Sequence, residues 1–571
     1  MHVVVSDHAG FPNLCGGGSR RRARLLVFER CVAAAFVFAL LALRIFAALH
    51  YRVDSDEPQH LHVVWGWANG LLQYRDLFDN HSPLFQMLCA PLFRALGERS
   101  DIIVPMRLAM IPLFFLAVWC VYKIAARLTN PHGGLIAAAL TAFAPTFFFV
   151  STEFRTDDLW SALWLVALLI LTGGAFRGWR AFWFGLVLGA AFSTSMKTTL
   201  LVLALAWAAL VVFALELFRE KHAELRKLCL SLALALGAAL IVPSALVAFF
   251  AFKGALPQMY YGIVEHNAVP GLGKWHKNGF HLFIFPLSIL PMVGLAWLLL
   301  RSHPVRIIAA RRALLMLAAG AYLTLLRSYW PLVTAQDYVP FLPVFIIALT
   351  PALLWSGKRL AKFHPLLRYA LPCLLLAVEL VRFGKICPPS ANDVAPFCRH
   401  LAETLRLTNR DDYVMDAKGE TIFRKRPFYY VLEGVTIMRM KHGLIADDIP
   451  QTLTRTATNV IHAHRMSDAD YAFVNANYVE VSSNAKVAGK IIGPAQTDHE
   501  VTFSTLWPAR YDVICEHGKP KGTLDGEPWR GAQTLLPGEH TLKLTAGAGR
   551  VALVWAQAIE RGFSPFIKRP K

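Results

Sequence analysis

The sequence predicts an α-helical polytopic membrane protein of about eleven transmembrane helices. Interfacial helices are expected in its first outer loop, and a C-terminal extracytoplasmic domain of α/β plus β-sandwich type follows. Three observations carry this. Hydrophobic residues make up 56% of the 571-residue chain and charged residues only 17%, against roughly 45–50% and 25% in soluble domains. The apolar runs crowd residues 25–386 and thin out afterwards. The loops between them also alternate between basic and acidic. A soluble enzyme, a disordered tail and a secreted disulfide scaffold are thereby excluded.

Runs of the length a span requires cover 25–49, 104–122, 133–150, 157–174, 181–196, 199–218, 228–252, 280–300, 313–328, 338–356 and 367–386. The first follows a cluster from Arg20 to Arg24. It is too long for the apolar core of a cleaved signal peptide, so an uncleaved helix is expected. If residues 1–24 are cytoplasmic, the cytoplasmic loops read Lys123 to Arg127, Arg177 to Arg180, Arg219 to Lys227, Arg301 to Arg312 and Lys358 to Arg368, all basic. The opposite loops carry Asp54, Asp56 and Glu57, then Glu153 to Asp158, then 253–279 and 329–337. Residues 387–571 then lie outside. The net charge of +20 is therefore read as topology-setting and not as a nucleic-acid footprint. Cys387 and Cys398 are a candidate disulfide if their segment is extracytoplasmic, although spacing alone leaves this open.

Within the first outer loop, 50–103, Glu57-Pro58 reads as a helix start. Leu61, Val64, Trp65, Ala68, Leu71 and Leu72 recur at helical spacing on a segment too polar to span, as in a helix lying in the interface. A second such piece is expected from Pro83 to Leu96. Beyond 386, Tyr413-Val-Met-Asp, Tyr471-Ala-Phe-Val and a helical stretch at 447–466 suggest an α/β unit to about 493. Short alternating strands with turns at Asp525-Gly526 and Pro537-Gly538 suggest a β-sandwich over about 498–560.

Chemistry is expected where carboxylates and cations meet at the outer face. Asp56 and Glu57 follow the first span and Asp157 the third. Such groups supply a general base and contacts to a metal or a sugar hydroxyl, and the plain alternative is solvated interfacial charge. Arg107, Arg155, Lys197 and Arg327 sit at the same depth against the orientation rule. They suit ion pairs or an anionic substrate such as a phosphate. Tyr74, Arg75, Asp76 and His81 mark a polar loop between the two interfacial pieces. The segment 253–279, with Tyr260, Tyr261, Glu265, His266, Trp275 and His276, suits a cavity cover, sugar recognition or an interfacial aromatic belt. The absence of a glycine-rich phosphate loop disfavours a nucleotide-sugar donor.

In order and spacing, these motifs resemble the polytopic C-type glycosyltransferases, in the bacterial protein O-mannosyltransferase-like and aminoarabinose-transferase-like branch. The resemblance covers about residues 30–350. It rests on Asp56-Glu57, Gly70-x-x-x-Tyr74-Arg75-Asp76, His81-x-Pro83, Met106-Arg107-Leu108, Arg155-Thr156-Asp157, Gly185 to Lys197, and Gln336-Asp337-Tyr338-Val-Pro340. Thr156 departs from the proline common in relatives. The resemblance implies transfer of a sugar from a polyprenyl-phosphate carrier to a lipid, glycan or protein acceptor at the outer face of a bacterial inner membrane. Asp56, Glu57 and Asp157 are then catalytic. Lys197, Arg155, Arg107 and Arg327 hold the donor phosphate, and Tyr74, Arg75, Asp76, His81, His266 and Tyr338 line the substrate pocket. A divalent metal (Mg2+ or Mn2+) on Asp56 and Asp157 is a further expectation. A single base implies inversion at the anomeric carbon. The outer domain is expected to orient the acceptor and to contribute no chemistry. The rival reading is a transporter or flippase of lipid-linked glycans, which predicts inverted repeats that the sequence lacks.

Overall fold

A computed structural model describes residues 18–217, 225–269, 271, 281–494 and 500–566. Residues 1–17, the Arg219 to His222 part of one basic loop, and Trp275 and His276 lie outside these. The protein is a mostly helical, polytopic membrane protein. Among the described residues the apolar runs fall mainly on helix, from Gly18–His50 to Ala370–Ile386. Five helical stretches among the described residues are long and apolar enough to cross a membrane: Ile103–Leu128, Thr198–Glu216, Arg226–Phe252, Arg306–Tyr329 and Ala335–Leu360.

Prolines decide where the runs break. Pro112 cannot donate to the carbonyl of Leu108 and crowds it, so Ile103–Leu108 stops and Ile111–Leu128 starts afresh. Pro145 divides the third run into Pro131–Phe143 and Pro145–Val150, with Ala144 extended between them. The helices Trp179–Thr194 and Leu225–Phe252 meet through Gly185 and Gly189. A methyl group on either would stand 1.9 or 2.2 Å from the carbonyl oxygens of Ala235 and Ala239. Backbones can approach so closely only where side chains are absent. A break at Ser195–Lys197 separates Trp179–Thr194 from Thr198–Leu217 and turns Lys197 out of the helical layer.

The first outer loop corrects one expectation. The helix Asp56–Ala68 is covered by protein and does not present an open apolar face. Glu57, Gln59, His60, Leu61, His62, Val63 and Val64 are all buried, so both its apolar and polar faces are covered. Part of the cover is the C-terminal domain: the ring of His62 bonds the carbonyl of Ile422 at 2.8 Å. The second helix, Leu84–Leu96, does keep an exposed apolar face at Leu88 and Leu92.

The C-terminal domain also departs from expectation. Among the described residues its strands form one nine-stranded sheet instead of an α/β unit beside a separate sandwich. Lys486–Pro494 joins the two parts. It pairs with Val460–Ile461 and Tyr478–Glu480 on one side and with Gly538–Trp555 on the other. Tyr471-Ala-Phe-Val, which reads as a strand, is part of the helix Asp468–Asn477, started by a capping box between Ser467 and Asp470. Cys387 and Cys398 are both free thiols.

Candidate active site

A cavity of about 370 Å³ opens where the first outer loop, the 151–157 segment, the Ser195–Lys197 break and the C-terminal domain converge. Asp56, His81, Arg155, Asp157 and Lys197 line it. So do Asn80, Asn267, Trp330 and Glu433.

Asp56 begins its helix. The carbonyl of Asp54 accepts from the Glu57 amide and the Asp54 carboxylate from the Asp56 amide at 3.1 Å, which sets the first turn. Asp157 lies in the first turn of Thr156–Leu171, where the helix dipole favours a carboxylate. Between them stands Arg155. Its Nη1 is 2.6 Å from Asp54 and 2.8 Å from Asp56, and its Nε is 3.1 Å from Asp157. The other oxygen of Asp56 pairs with the ammonium of Lys418, from the C-terminal domain. Burial alone would raise the Asp56 pKa. Arg155 and Lys418 outweigh it and hold the group well below the usual carboxylate range. Glu153, deeper in the same segment, goes the other way: burial and the neighbouring Glu57 push it well above that range.

His81 reaches the cavity on a loop fixed from beneath. Asp79 is buried and faces the His81 Nδ1 at 2.8 Å, while Gln59 and Gln73 donate to the Asp79 carboxylate at 3.1 and 2.8 Å. Tyr74 holds a left-handed backbone at φ 71°, unusual for a side chain of its size. From there its hydroxyl donates to the carbonyl of His81 at 2.5 Å. Lys197 faces the same space and pairs with the buried Asp337, whose other oxygen accepts from the Thr334 amide at 2.8 Å.

Several expected site residues stand elsewhere. Glu57 and Arg107 form a fully buried pair at 2.5 and 2.7 Å, and neither lines the cavity. Arg107 also donates to the carbonyls of Tyr51 and Arg52, and Glu57 accepts from the Phe154 amide at 2.7 Å. The pair therefore ties three segments together instead of meeting a substrate. Arg75 and Asp76 bond each other near the surface. Tyr74 is a support for His81. Arg327 and Tyr338 contact each other at 3.1 Å, outside the cavity lining. His266 is buried behind the wall, 3.3 Å from the Glu433 carboxylate. Arg155 lines the cavity and orders the acids, its Nη1 meeting Asp54 and Asp56 and its Nε meeting Asp157. Asp56 and Asp157 do not suit a divalent metal in this arrangement. Each oxygen of Asp56 already faces a cation, and among the described residues no three metal-ligating side chains converge.

Sequence reasoning missed Lys418, Asp337 as the partner of Lys197, and Glu433. Asp337 was within a motif already noted. Lys418 gave one signal: the turn-forming Asp416-Ala-Lys418-Gly419.

Residues 80–246 match the family model of dolichyl-phosphate-mannose-protein mannosyltransferases. The fold is similar to that of ArnT from Cupriavidus metallidurans in the apo state, at 15% identity and a TM-score of 0.53, over 80% of this chain and 98% of that one. The same protein bound to undecaprenyl phosphate matches at 14% identity and a TM-score of 0.51, over 80% and 97%. No curated protein matches the chain in sequence. The fold is thus similar to that of ArnT, and the mannosyltransferase family model matches a part of the helical region, less than half of the chain.

Proposed function

We propose that this protein transfers a sugar from a polyprenyl-phosphate donor to a lipid, glycan or protein acceptor at the outer face of a bacterial inner membrane. The observation that carries this reading is an ionised Asp56 on the wall of a cavity that also presents Lys197, His81 and Asp157. A family match inside the helical region and the likeness to a protein solved with undecaprenyl phosphate support it. The alternation of basic and acidic loops supports a cytoplasmic N-terminus and a C-terminal domain on the outer side.

In this mechanism the polyprenyl chain lies along the exposed apolar helices, and its phosphate sits at the height of Lys197. As the bond to the anomeric carbon breaks, negative charge grows on the phosphate. A preplaced ammonium stabilises that charge without having to reorganise. Asp56 orients the acceptor nucleophile and takes its proton. A carboxylate held so firmly ionised is a weak base. The proton therefore moves late, once bond formation has made the nucleophile acidic. One base and direct attack invert the anomeric centre. Asp157 stays ordered by Arg155 and meets the sugar hydroxyls. No step requires a metal.

Mass spectrometry of lipids and envelope glycans from a deletion strain tests the reading. One acceptor should lose a single sugar while a polyprenyl-phosphate-linked form of that sugar accumulates. Unchanged lipid and glycan profiles in that strain would overturn it.

A further inference from the structure

We propose that Lys418, delivered by the C-terminal domain, is a positioning residue of the active site that holds Asp56 in its working orientation. The inference rests on the catalytic reading of Asp56 given above. It makes the outer domain part of the catalytic machinery and not only a platform for the acceptor.

The side chain of Lys418 is 4% exposed, and its ammonium pairs with Asp56 Oδ1 and stands 3.4 Å from the Ser55 hydroxyl. Arg155 takes Oδ2 at 2.8 Å. With one cation on each oxygen, the carboxylate plane of Asp56 is fixed from two sides, one of them belonging to a domain more than 350 residues away in sequence. Burying a lysine is costly unless it is paired, so this position calls for a partner carboxylate.

The loop that brings Lys418 there is built for placement. Asp416 is buried and accepts from the Gly419 and Thr421 amides at 2.7 and 2.9 Å, and from the Thr421 hydroxyl at 2.7 Å. Arg426 donates to the same carboxylate at 2.8 Å. Gly419 holds φ +84°, and a methyl group there would come within 2.7 Å of the His62 Cβ. The loop tip can therefore lie flat against the helix that begins with Asp56. The domain has other anchors on the outer loop, such as Arg424 and Arg410 on Glu98 at 2.9 and 3.3 Å, and these do not line the cavity. Docking alone does not require a lysine on Asp56.

The charged and titratable groups around Asp56 are Asp54 on its own turn, His60 and His81 from the first outer loop, Arg155 and Asp157 from the next outer segment, and Lys418. Removing Lys418 leaves burial and the neighbouring acids opposed by Arg155 with only the histidines beside it. The Asp56 carboxyl then rises toward the ordinary range, and its orientation loosens.

The test uses the full-length protein in lipid nanodiscs, with the donor that accumulates in the deletion strain. Lys418→Met should lower kcat about tenfold through lost orientation, with donor KM unchanged. The acid limb of its kcat–pH profile should move to higher pH, and Lys418→Arg should restore most of kcat. If the methionine variant does not fold, Lys418→Gln reads the same shift of the acid limb. An unshifted acid limb with normal kcat overturns the proposal, and so does a raised donor KM with the acid limb unmoved. Asp56→Asn is run alongside. Full activity there removes the reading on which the proposal rests, whereas a dead Asp56→Asn beside an unaffected Lys418→Met removes only the proposal.

Discussion

Glu420, two residues beyond Lys418, packs against the buried Asp416 and accepts a hydrogen bond from the Lys418 amide at 2.7 Å. Burial first, and the charge of Asp416 second, push its pKa from 4.5 up to about 7. The folded state thus binds a proton that the unfolded chain releases near its ordinary pKa. A raised carboxyl pKa means that stability falls as pH rises from about 4.5 through 7 and stays lowered above. Glu420→Gln removes this contribution while keeping the hydrogen bond. The difference in Tm between variant and wild type should grow in the variant's favour between pH 5 and pH 8, measured by scanning calorimetry in nanodiscs. A difference that is flat with pH would contradict the assignment. At this scale the sequence was only partly readable. Asp56, Asp157, Lys197 and His81 were recognisable as chemistry-bearing groups. Glu57 and Arg107 had the same residue types and depth, yet they satisfy each other at full burial. Nothing local in sequence separates a carboxylate that faces a cavity from one that faces its partner across the core.

The helices were the most readable elements, because a long apolar run needs no knowledge of its neighbours to be recognised. Their interruptions were legible too wherever proline removes a donor, as at Pro112 and Pro145. The cover over the helix Asp56–Ala68 was not readable for a physical reason. Leu61, Val64 and Ala68 repeat at helical spacing whether they face lipid or protein, and the burial of His62 depends on Ile422, far away in sequence. The sandwich expectation failed similarly. Alternation marks strands but does not say which strands share hydrogen bonds, and Lys486–Pro494 bridges both halves of the sheet. Helix packing gives a direct test at this scale. Gly189 leaves 2.2 Å between a would-be methyl and the Ala239 carbonyl. Gly189→Leu should separate Trp179–Thr194 from Leu225–Phe252 and cost about 1–3 kcal/mol, as overpacking does elsewhere. A lowered unfolding midpoint in detergent, with Gly237→Leu at an open position as the control, is the expected result.

For the whole molecule, the cavity is assembled from stretches of chain that only the fold brings together: beside 263–268 and 330–334, four of them are the first outer loop, the 151–157 segment, the break before Thr198 and the 416–436 region. Family-like motifs marked the first three. The fourth lies beyond the resemblance, and sequence alone assigned it no chemistry, since a single lysine in a polar domain carries no distinguishing pattern. Its docking against the outer loop makes the helical region and the C-terminal domain one working unit. At the centre of that unit stands Asp56, ionised, fixed by two cations and open to the cavity. Steady-state turnover of the donor identified in the deletion strain, measured for wild type and Asp56→Asn, tests this directly. The amide keeps the shape and loses the charge, so kcat should fall at least ~10²-fold while donor KM is largely kept. Near-normal turnover by a well-folded Asp56→Asn protein would contradict the account.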